Sequence, residues 1–317
     1  MNKKILVIGS LNMDMIMKVV SLPLPGETIQ AENVSYELGG KGANQSCAAA
    51  RLGGCVKMLG CVGDDDFGRR QKESLNECGV DISELKTSQR FPTGLASIYV
   101  SQEGKNSIVV LQGANAECDV EYLEAKDACL VWADCVVLQM EIPWETITYA
   151  VNRAHELGKM IIFNPAPVKQ SLPNEFLEKL DYITPNETEV MKLCGKKGDS
   201  INDYIACAKE ILNRGVKNVL VTLGEKGVLL ATKRETKIFS TRKVHAIDTT
   251  AAGDCFNGAL AVALLEGMGD IASIHFANMA SSIAVTRNGA QAALPLREEV
   301  DNVIGGDTVS GTARLSK

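Results

Sequence analysis

The chain has 317 residues, of which 45% are hydrophobic, 23% charged and only 5% aromatic, and its formal net charge is -6. A chain of this length buries most of its apolar surface without staples or structural metals, and its apolar fraction excludes wholesale disorder. The acidic balance argues against a partner recognised through nucleic-acid phosphates or anionic lipid.

The first twenty residues, MNKKILVIGSLNMDMIMKVV, place lysines ahead of an apolar run. Asp14 and Lys18 interrupt that run and no small-residue cleavage site follows, so an export signal is not expected. Nor is a membrane span, since no uninterrupted apolar stretch of 18 residues occurs. The ten cysteines are scattered and none forms CxxC, while the three histidines lie far apart, so metal-finger spacing is absent. Most of the cysteines lie in apolar segments, where a thiol acts as a small hydrophobe; reduced thiols in a cytoplasmic protein are expected.

In chain order, residues 5–8 read as a strand, 43–52 as an Ala-rich helix, 56–61 as a strand and 67–78 as an amphipathic helix. A strand at 135–138 precedes a helix at 144–157. Strands at 160–163, 182–184 and 219–222 alternate with helices at 187–193 and 201–213. Ala-rich helices at 255–266 and 271–285 close the series. The alternation predicts an α/β fold with a doubly covered, mostly parallel central sheet. Two stretches break the rhythm. Residues 13–38 and 93–112 are β-rich, and LASIYV and SIVVLQ flank a polar, Gly-containing turn as in a hairpin. They read as a small antiparallel sheet inserted into the α/β domain, serving as a lid or as a structural edge. The domain is expected over 1–304, with a frayed polar tail at 305–317.

GxxxxGK[ST], GxGxxG after the first strand, and GxSxG are all missing. That argues against a P-loop, a nicotinamide Rossmann site and a nucleophile elbow. Four other segments carry candidate chemistry. DTTAAGDCFNG at 248–258 runs into an apolar helix. The turn Ala251, Ala252, Gly253 thus lies at a helix N-terminus, where free N–H groups and the dipole favour an anion. Asp254 beside that anion would repel a bare phosphate, but suits a base that deprotonates a hydroxyl attacking a phosphoryl group. Equally, it is a helix cap. ELGGKGANQSCA at 37–48 surrounds Lys41 with Gly39, Gly40 and Gly42, and Lys41 and Asn44 offer donors to sugar hydroxyls; a Gly-rich corner would look the same. TPNETE at 184–189 sets Asn186 and Glu189 on one helical face, as for phosphate and a hydrated Mg²⁺, or as a capping box. VTLGEKG at 221–227 is a nucleotide loop or a plain turn.

Together, GGKGAN at 39–44, TPNETE and DTTAAGDCFNG resemble the signatures of the PfkB-type sugar kinase family, in order across residues 3–303. GSLNMD at 9–14, PGETI at 25–29, QMEIP at 139–143, NPAP at 164–167 and VTRNGAQ at 285–291 point to its D-ribose branch. The resemblance implies a Rossmann-like fold with a β lid, and transfer of phosphate from MgATP to O5 of D-ribose. It makes Asp254 the base and Ala251, Ala252 and Gly253 the anion hole. Asn12, Asp14, Gly40, Lys41, Asn44 and Glu141 match sugar-binding positions. Asn186, Thr222, Gly224, Gly227, Gly253 and Asn278 match nucleotide positions, and Glu189 faces hydrated Mg²⁺. A monovalent-cation site for K⁺ would use mostly backbone carbonyls at Asp248, Thr250, Ala284, Arg287 and Gly289, with the Asp248 carboxylate. A homodimer through the lid is implied as well. Two departures stand out: Ala293 replaces a frequent serine ligand of the cation, and Asn278 replaces a ring that often packs on adenine. The alternatives are another kinase of the family, acting on deoxyribose, fructose or a nucleoside, or a non-catalytic sugar or nucleotide sensor.

Overall fold

The computed structural model describes residues 4–168 and 171–312. Its first half comprises β1 (Lys4–Ile8), β2 (Asn12–Val19), β3 (Ala31–Gly39), α1 (Lys41–Arg51), β4 (Cys55–Leu59), β5 (Cys61–Gly63), α2 (Asp66–Glu77) and β6 (Lys86–Ser88). Next come β7 (Gly94–Ser101), β8 (Asn106–Leu111), α3 (Val120–Ala125), α4 (Asp127–Trp132), β9 (Cys135–Leu138), α5 (Trp144–Glu156) and β10 (Met160–Phe163). Then follow α6 (Asn174–Leu177), β11 (Tyr182–Ile183), α7 (Glu187–Leu193), α8 (Ile201–Asn213) and β12 (Asn218–Thr222). The described chain ends with β13 (Val228–Thr232), β14 (Thr236–Phe239), α9 (Ala252–Leu265), α10 (Asp270–Ala284) and α11 (Arg297–Thr312).

Eight strands form the main sheet in the order β14-β13-β12-β11-β10-β9-β1-β4. Pairing is parallel from β4 to β12 and antiparallel across β12, β13 and β14. Strand β1 shows why both faces are covered. Successive side chains point to opposite faces; Leu6 and Ile8 enter one hydrophobic core, and Ile5 and Val7 the other. The continuous apolar runs of β1, β9 and β10 are thus those of strands buried on both sides. The expected strand at 56–61 divides around Gly60 into β4 and β5. The β13–β14 hairpin was not anticipated, because its turn at Lys233, Arg234 and Glu235 carries no glycine signal.

The inserted segments form a separate four-stranded sheet, β3-β2-β7-β8. It is mixed rather than antiparallel, since β2 and β7 run parallel. A parallel return needs a long crossover, and here α1, β4, β5, α2 and β6 lie between the two strands. Strand β8 is an open edge, with Ile108, Val109 and Val110 52%, 63% and 58% exposed.

Helix α9 is apolar around its circumference and buried along its length, as a core helix should be. It packs against α1 at Gly258, where an added Cβ would lie 2.7 Å from Ala48 Cβ and 2.8 Å from both Ala49 N and Gln45 O. That close approach brings the start of α1 to the start of α9. The pair Cys47 and Cys78 forms a disulfide between α1 and the end of α2, contrary to the expectation of reduced thiols throughout. The two cysteines lie 31 residues apart, a relation only the folded chain reveals. Helix α11 continues past 304, where the frayed tail was expected to begin; residues 313–317 of that tail lie outside the described residues.

Candidate active site

The turn at 251–253 has a backbone consequence. Ala251 holds φ 58° and ψ 11°, the left-handed region, and is the only non-glycine among the described residues with positive φ. Such a conformation costs an alanine about 1 kcal/mol. It starts α9 with no side-chain cap. A Cβ built on Gly253 would meet nothing within 4 Å, so open space lies over the helix start. Uncapped N–H groups at the positive end of a long helix beside such a space suit an anion.

Asp254 follows in the first turn and is only 6% exposed. Its Oδ2 accepts from Asn44 Nδ2 at 2.9 Å, and its Oδ1 from Gln45 Nε2 at 2.9 Å. The bonds do not make Asp254 a helix cap, because the residue preceding the helix is Ala251. Lys41, at the start of α1, lies within the field of four carboxylates. Burial lowers its pKa, but Asp254, Glu141, Glu189 and Asp14 outweigh that and hold it above the ordinary lysine value. An ammonium amid four carboxylates stays charged.

The Gly-rich loop is shaped by what it touches. Gly40 has φ 89°, and a Cβ there would lie 2.6 Å from Asn12 N. A Cβ on Gly39 would fall 2.3 Å from Asp14 Oδ2. The absence of side chains therefore lets this loop lie directly on the β1–β2 connection, and it brings Asn12, Asp14, Gly40, Lys41 and Asn44 together. Glu141 joins from the β9–α5 connection, accepting from Lys41 N at 3.2 Å and from Ser10 Oγ at 2.5 Å. Burial, then the charges of Glu141 and Glu37, push the Asp14 pKa up to about 7 against the opposing pull of Lys41.

At the end of β11, Asn186 and Glu189 close a reciprocal capping box: Glu189 N donates to Asn186 Oδ1 at 2.8 Å, and Asn186 N to Glu189 Oε2 at 2.9 Å. Capping does not remove Glu189 from the site, since its charge acts on Lys41 and on Asp254. Burial, the main influence, raises the Glu189 pKa. Asn186 is bridged to Thr222, whose N–H donates to Pro185 O at 3.0 Å. Gly224 and Gly227 follow in a tight turn. At Gly227 a Cβ would lie 2.0 Å from Phe239 O, so this glycine also has a packing reason. Asn278 is buried in α10, and its Nδ2 has no hydrogen-bond partner among the described residues. The same helix reaches the start of α9, where Ser281 Oγ donates to Ala252 O at 3.0 Å.

The expected cation residues are brought together by a zipped pair of segments. Ile247 N donates to Val285 O at 2.8 Å, and Asp248 Oδ2 accepts from Gly289 N at 3.0 Å. Asp248 Oδ1 accepts from Thr250 N and Oγ1 at 2.9 and 2.6 Å. Burial alone would raise the Asp248 pKa, but these bonds hold it below the usual value. Ala284 O accepts from Arg287 N at 3.1 Å, leaving one carbonyl lone pair. Ala293 is buried with no side-chain oxygen to offer. The Asp248 carboxylate and the Ala284 carbonyl are hard oxygen donors, a kind that suits hard cations.

Several site residues escaped the sequence reading. Asn115 binds Leu11 N at 2.9 Å and Asn12 Oδ1 at 2.8 Å. Gln71 donates to Gly39 O at 2.9 Å and to Asn12 O at 2.5 Å, tying the end of β3 to the start of β2. Ser10, Gln45, Gln139, Asn164 and Asn257 complete this group. One signal was available for Gln45: a polar amide inside the small-residue run GANQSCAAA, where a buried polar group must find a partner.

A mostly parallel sheet, an uncapped helix start beside a buried carboxylate and a cluster of polar side chains suit a phosphotransferase acting on a hydroxylated substrate. The model of the pfkB family carbohydrate kinase matches residues 2–297, and the chain belongs to that family. It is therefore an ATP-dependent carbohydrate kinase. Its relatives narrow the class. Ribokinase of Staphylococcus aureus (strain COL) is 40% identical over 306 residues, covering 96% of this chain and 100% of the relative. Ribokinase of Haemophilus influenzae is 38% identical over 299 residues, covering 94% and 97%. The structure of Arabidopsis thaliana ribokinase complexed with ribose and ATP superposes with a TM-score of 0.88 at 32% identity, covering 95% of this chain and 98% of that one.

Proposed function

We propose that the chain is a ribokinase, transferring the γ-phosphoryl group of ATP to O5 of D-ribose to give D-ribose 5-phosphate and ADP. The observation that carries this reading is the pairing of a buried, doubly hydrogen-bonded Asp254 with an uncapped helix start that opens on free space. Asp254 takes the O5 proton as O5 attacks the γ-phosphorus, and the bond to the bridging oxygen of ADP breaks. The N–H groups at Ala251, Ala252 and Gly253 stabilise charge on the phosphoryl oxygens in flight.

Asn12, Asp14, Gly40, Lys41, Asn44 and Glu141 hold the sugar. Carboxylates accept from neighbouring hydroxyls while Lys41 and the amides donate, so a substrate lacking a hydroxyl leaves buried groups unpaired. Asn186, Thr222, Gly224, Gly227, Gly253 and Asn278 hold the nucleotide. Mg²⁺ bound with ATP would neutralise charge between the phosphates. Glu189 would face the hydrated ion with Oε1, since the capping bond uses Oε2. The Asp248 loop with Thr250, Ala284, Arg287 and Gly289 would hold a monovalent cation, K⁺, close behind the anion hole. The sheet of β2, β3, β7 and β8 serves as the lid that excludes water. The exposed apolar edge at β8 suits pairing with the lid of a second copy. Among the described residues no helix is long and apolar enough to cross a membrane. Its need for ATP as phosphoryl donor places the enzyme in the cytoplasm.

Steady-state rates with D-ribose, deoxyribose, fructose and adenosine, with MgATP and with or without K⁺, test the proposal. Ribose should give the highest kcat/KM, and K⁺ should raise it. A leading rate with another acceptor would overturn the substrate assignment, and indifference to K⁺ would overturn the cation site.

A further inference from the structure

We infer that Gln45 is a positioning residue for phosphoryl transfer, holding the Asp254 carboxylate in one orientation through a buried ring of amides that closes on the helix turn presenting the anion-binding N–H groups. The inference rests on Asp254 acting as the base.

Both ends of the Gln45 amide are engaged. Its Oε1 accepts from Gln139 Nε2 at 2.7 Å, which orients Nε2 towards Asp254 Oδ1 at 2.9 Å and Asn164 Oδ1 at 3.3 Å. Asn164 Nδ2 donates to Thr184 O at 2.9 Å, and Thr184 Oγ1 to Asn257 Oδ1 at 2.7 Å. Asn257 Nδ2 then donates to Gly253 O at 2.8 Å. Gly253 adjoins Asp254, so the ring is closed. Its members are buried: Gln45 and Gln139 at 0%, Thr184 and Asn257 at 1%, and Asn164 at 7% exposed.

Packing alone does not explain this arrangement. Gln45 lies on a helix of small residues against α9, where an apolar side chain would fill the same space without the cost of burying an amide. What the amide adds is direction. Asn44 holds Oδ2 and Gln45 holds Oδ1, so the carboxylate is fixed by two N–H donors, which suit its ionised form. Its remaining lone pairs are then held at a constant angle to an incoming hydroxyl, and a base works only within a narrow geometry. The charged groups acting on Asp254 are Lys41 from α1, Asp14 from β2 and Glu189 from α7, and the Cys255 thiol lies beside it in sequence. Gln45 is neutral among them, so it orients the carboxylate without adding charge.

The test compares Gln45→Glu and Gln45→Met with the parent enzyme. Glutamate keeps the size and still accepts from Gln139, but sets a second carboxylate against Asp254; methionine removes all three bonds. We expect kcat to fall about tenfold to a hundredfold in each, with KM for ribose within about threefold. In Gln45→Glu the acid limb of the kcat profile, which reports the ribose-bound enzyme, should move up, because like charges resist joint ionisation. If Gln45→Met does not fold, the glutamate profile decides. Asp254→Asn, measured alongside, separates the two levels of the argument. Retained turnover in Asp254→Asn would overturn both the base and its positioning. An inactive Asp254→Asn with parental kcat and an unmoved acid limb in the Gln45 variants would overturn the positioning role alone.

Discussion

Gly258→Ala tests the link between helix packing and chemistry. The substitution improves intrinsic helix propensity by about 1 kcal/mol, so on local grounds it should stabilise α9. The structure predicts otherwise. The new Cβ would sit 2.7 Å from Ala48 Cβ and 2.8 Å from Ala49 N and Gln45 O, two of them backbone atoms that cannot swing aside. Carbon atoms prefer separations of about 3.5–4.0 Å, so α1 and α9 must part by roughly 1 Å. Overpacking of this kind costs about 1–3 kcal/mol, leaving a net loss of up to about 2 kcal/mol after the propensity gain. The larger effect falls on turnover. Asn44 and Gln45 ride on α1, and each is bonded to Asp254 at 2.9 Å. A displacement of about 1 Å breaks those bonds, and misplacement on that scale lowers rates about a hundredfold. Thermal melting and steady-state kinetics check both parts. A variant with a raised Tm and parental kcat would refute the reasoning that this glycine sets the site.

Asp254→Asn should keep ribose affinity within about tenfold while losing a factor of about 10²–10⁴ or more in kcat; isothermal titration beside single-turnover assays separates the two, and undiminished turnover would reject the base. Asp14 titrates near 7 in the fold against 3.8 in a model peptide. The folded state therefore holds the proton longer, so this contribution to stability is full below about 3.8 and is lost as pH rises through 7. Relative to the parent, Asp14→Asn should gain stability between pH 5 and 8, by on the order of a few kcal/mol; urea melts across that range with no change in the difference would contradict the burial argument. In the parent, KM for ribose should fall over the same rise in pH as the carboxylate ionises, and in Asp14→Asn it should be flat. The Cys47–Cys78 bond closes a loop of 31 residues, for which chain entropy gives about 3–4 kcal/mol. Reductant, or Cys78→Ser, should lower the urea midpoint accordingly, and an unchanged midpoint would remove the bridge from the account of stability.

What could be read from the sequence, and what could not, follows from the range of each signal. The βα alternation is local, and the runs at 135–138, 160–163, 187–193 and 201–213 coincide with β9, β10, α7 and α8 because period and length appear within a dozen residues. The glycine motifs were legible because each is a short run of small residues ahead of a helix; Gly40 answers in part to its own backbone, at φ 89°. The direction of β7 against β2 was not legible, since it depends on how a whole intervening βαβ run returns the chain. Nor was the amide ring. Gln45 meets Asp254 across 209 residues and Gln139 across 94, and an amide carries no sequence mark of the partner it will find.

The same contrast bears on TPNETE, where capping and ligand binding looked like competing explanations. The structure makes the capping box real and keeps the Glu189 charge acting on Lys41 and Asp254. A cap that fixes Glu189 Oε2 to its own helix leaves the side chain one orientation, which is what a residue facing a hydrated metal requires. Ala251 shows the converse: its helix start has no side-chain cap, and Ala252 N makes only a long bond, 3.3 Å, to Thr249 O. Of these two helix starts, the capped one presents a carboxylate and the uncapped one presents N–H groups. A magnesium-bound nucleotide lying between them would meet the sign of charge each end of it needs.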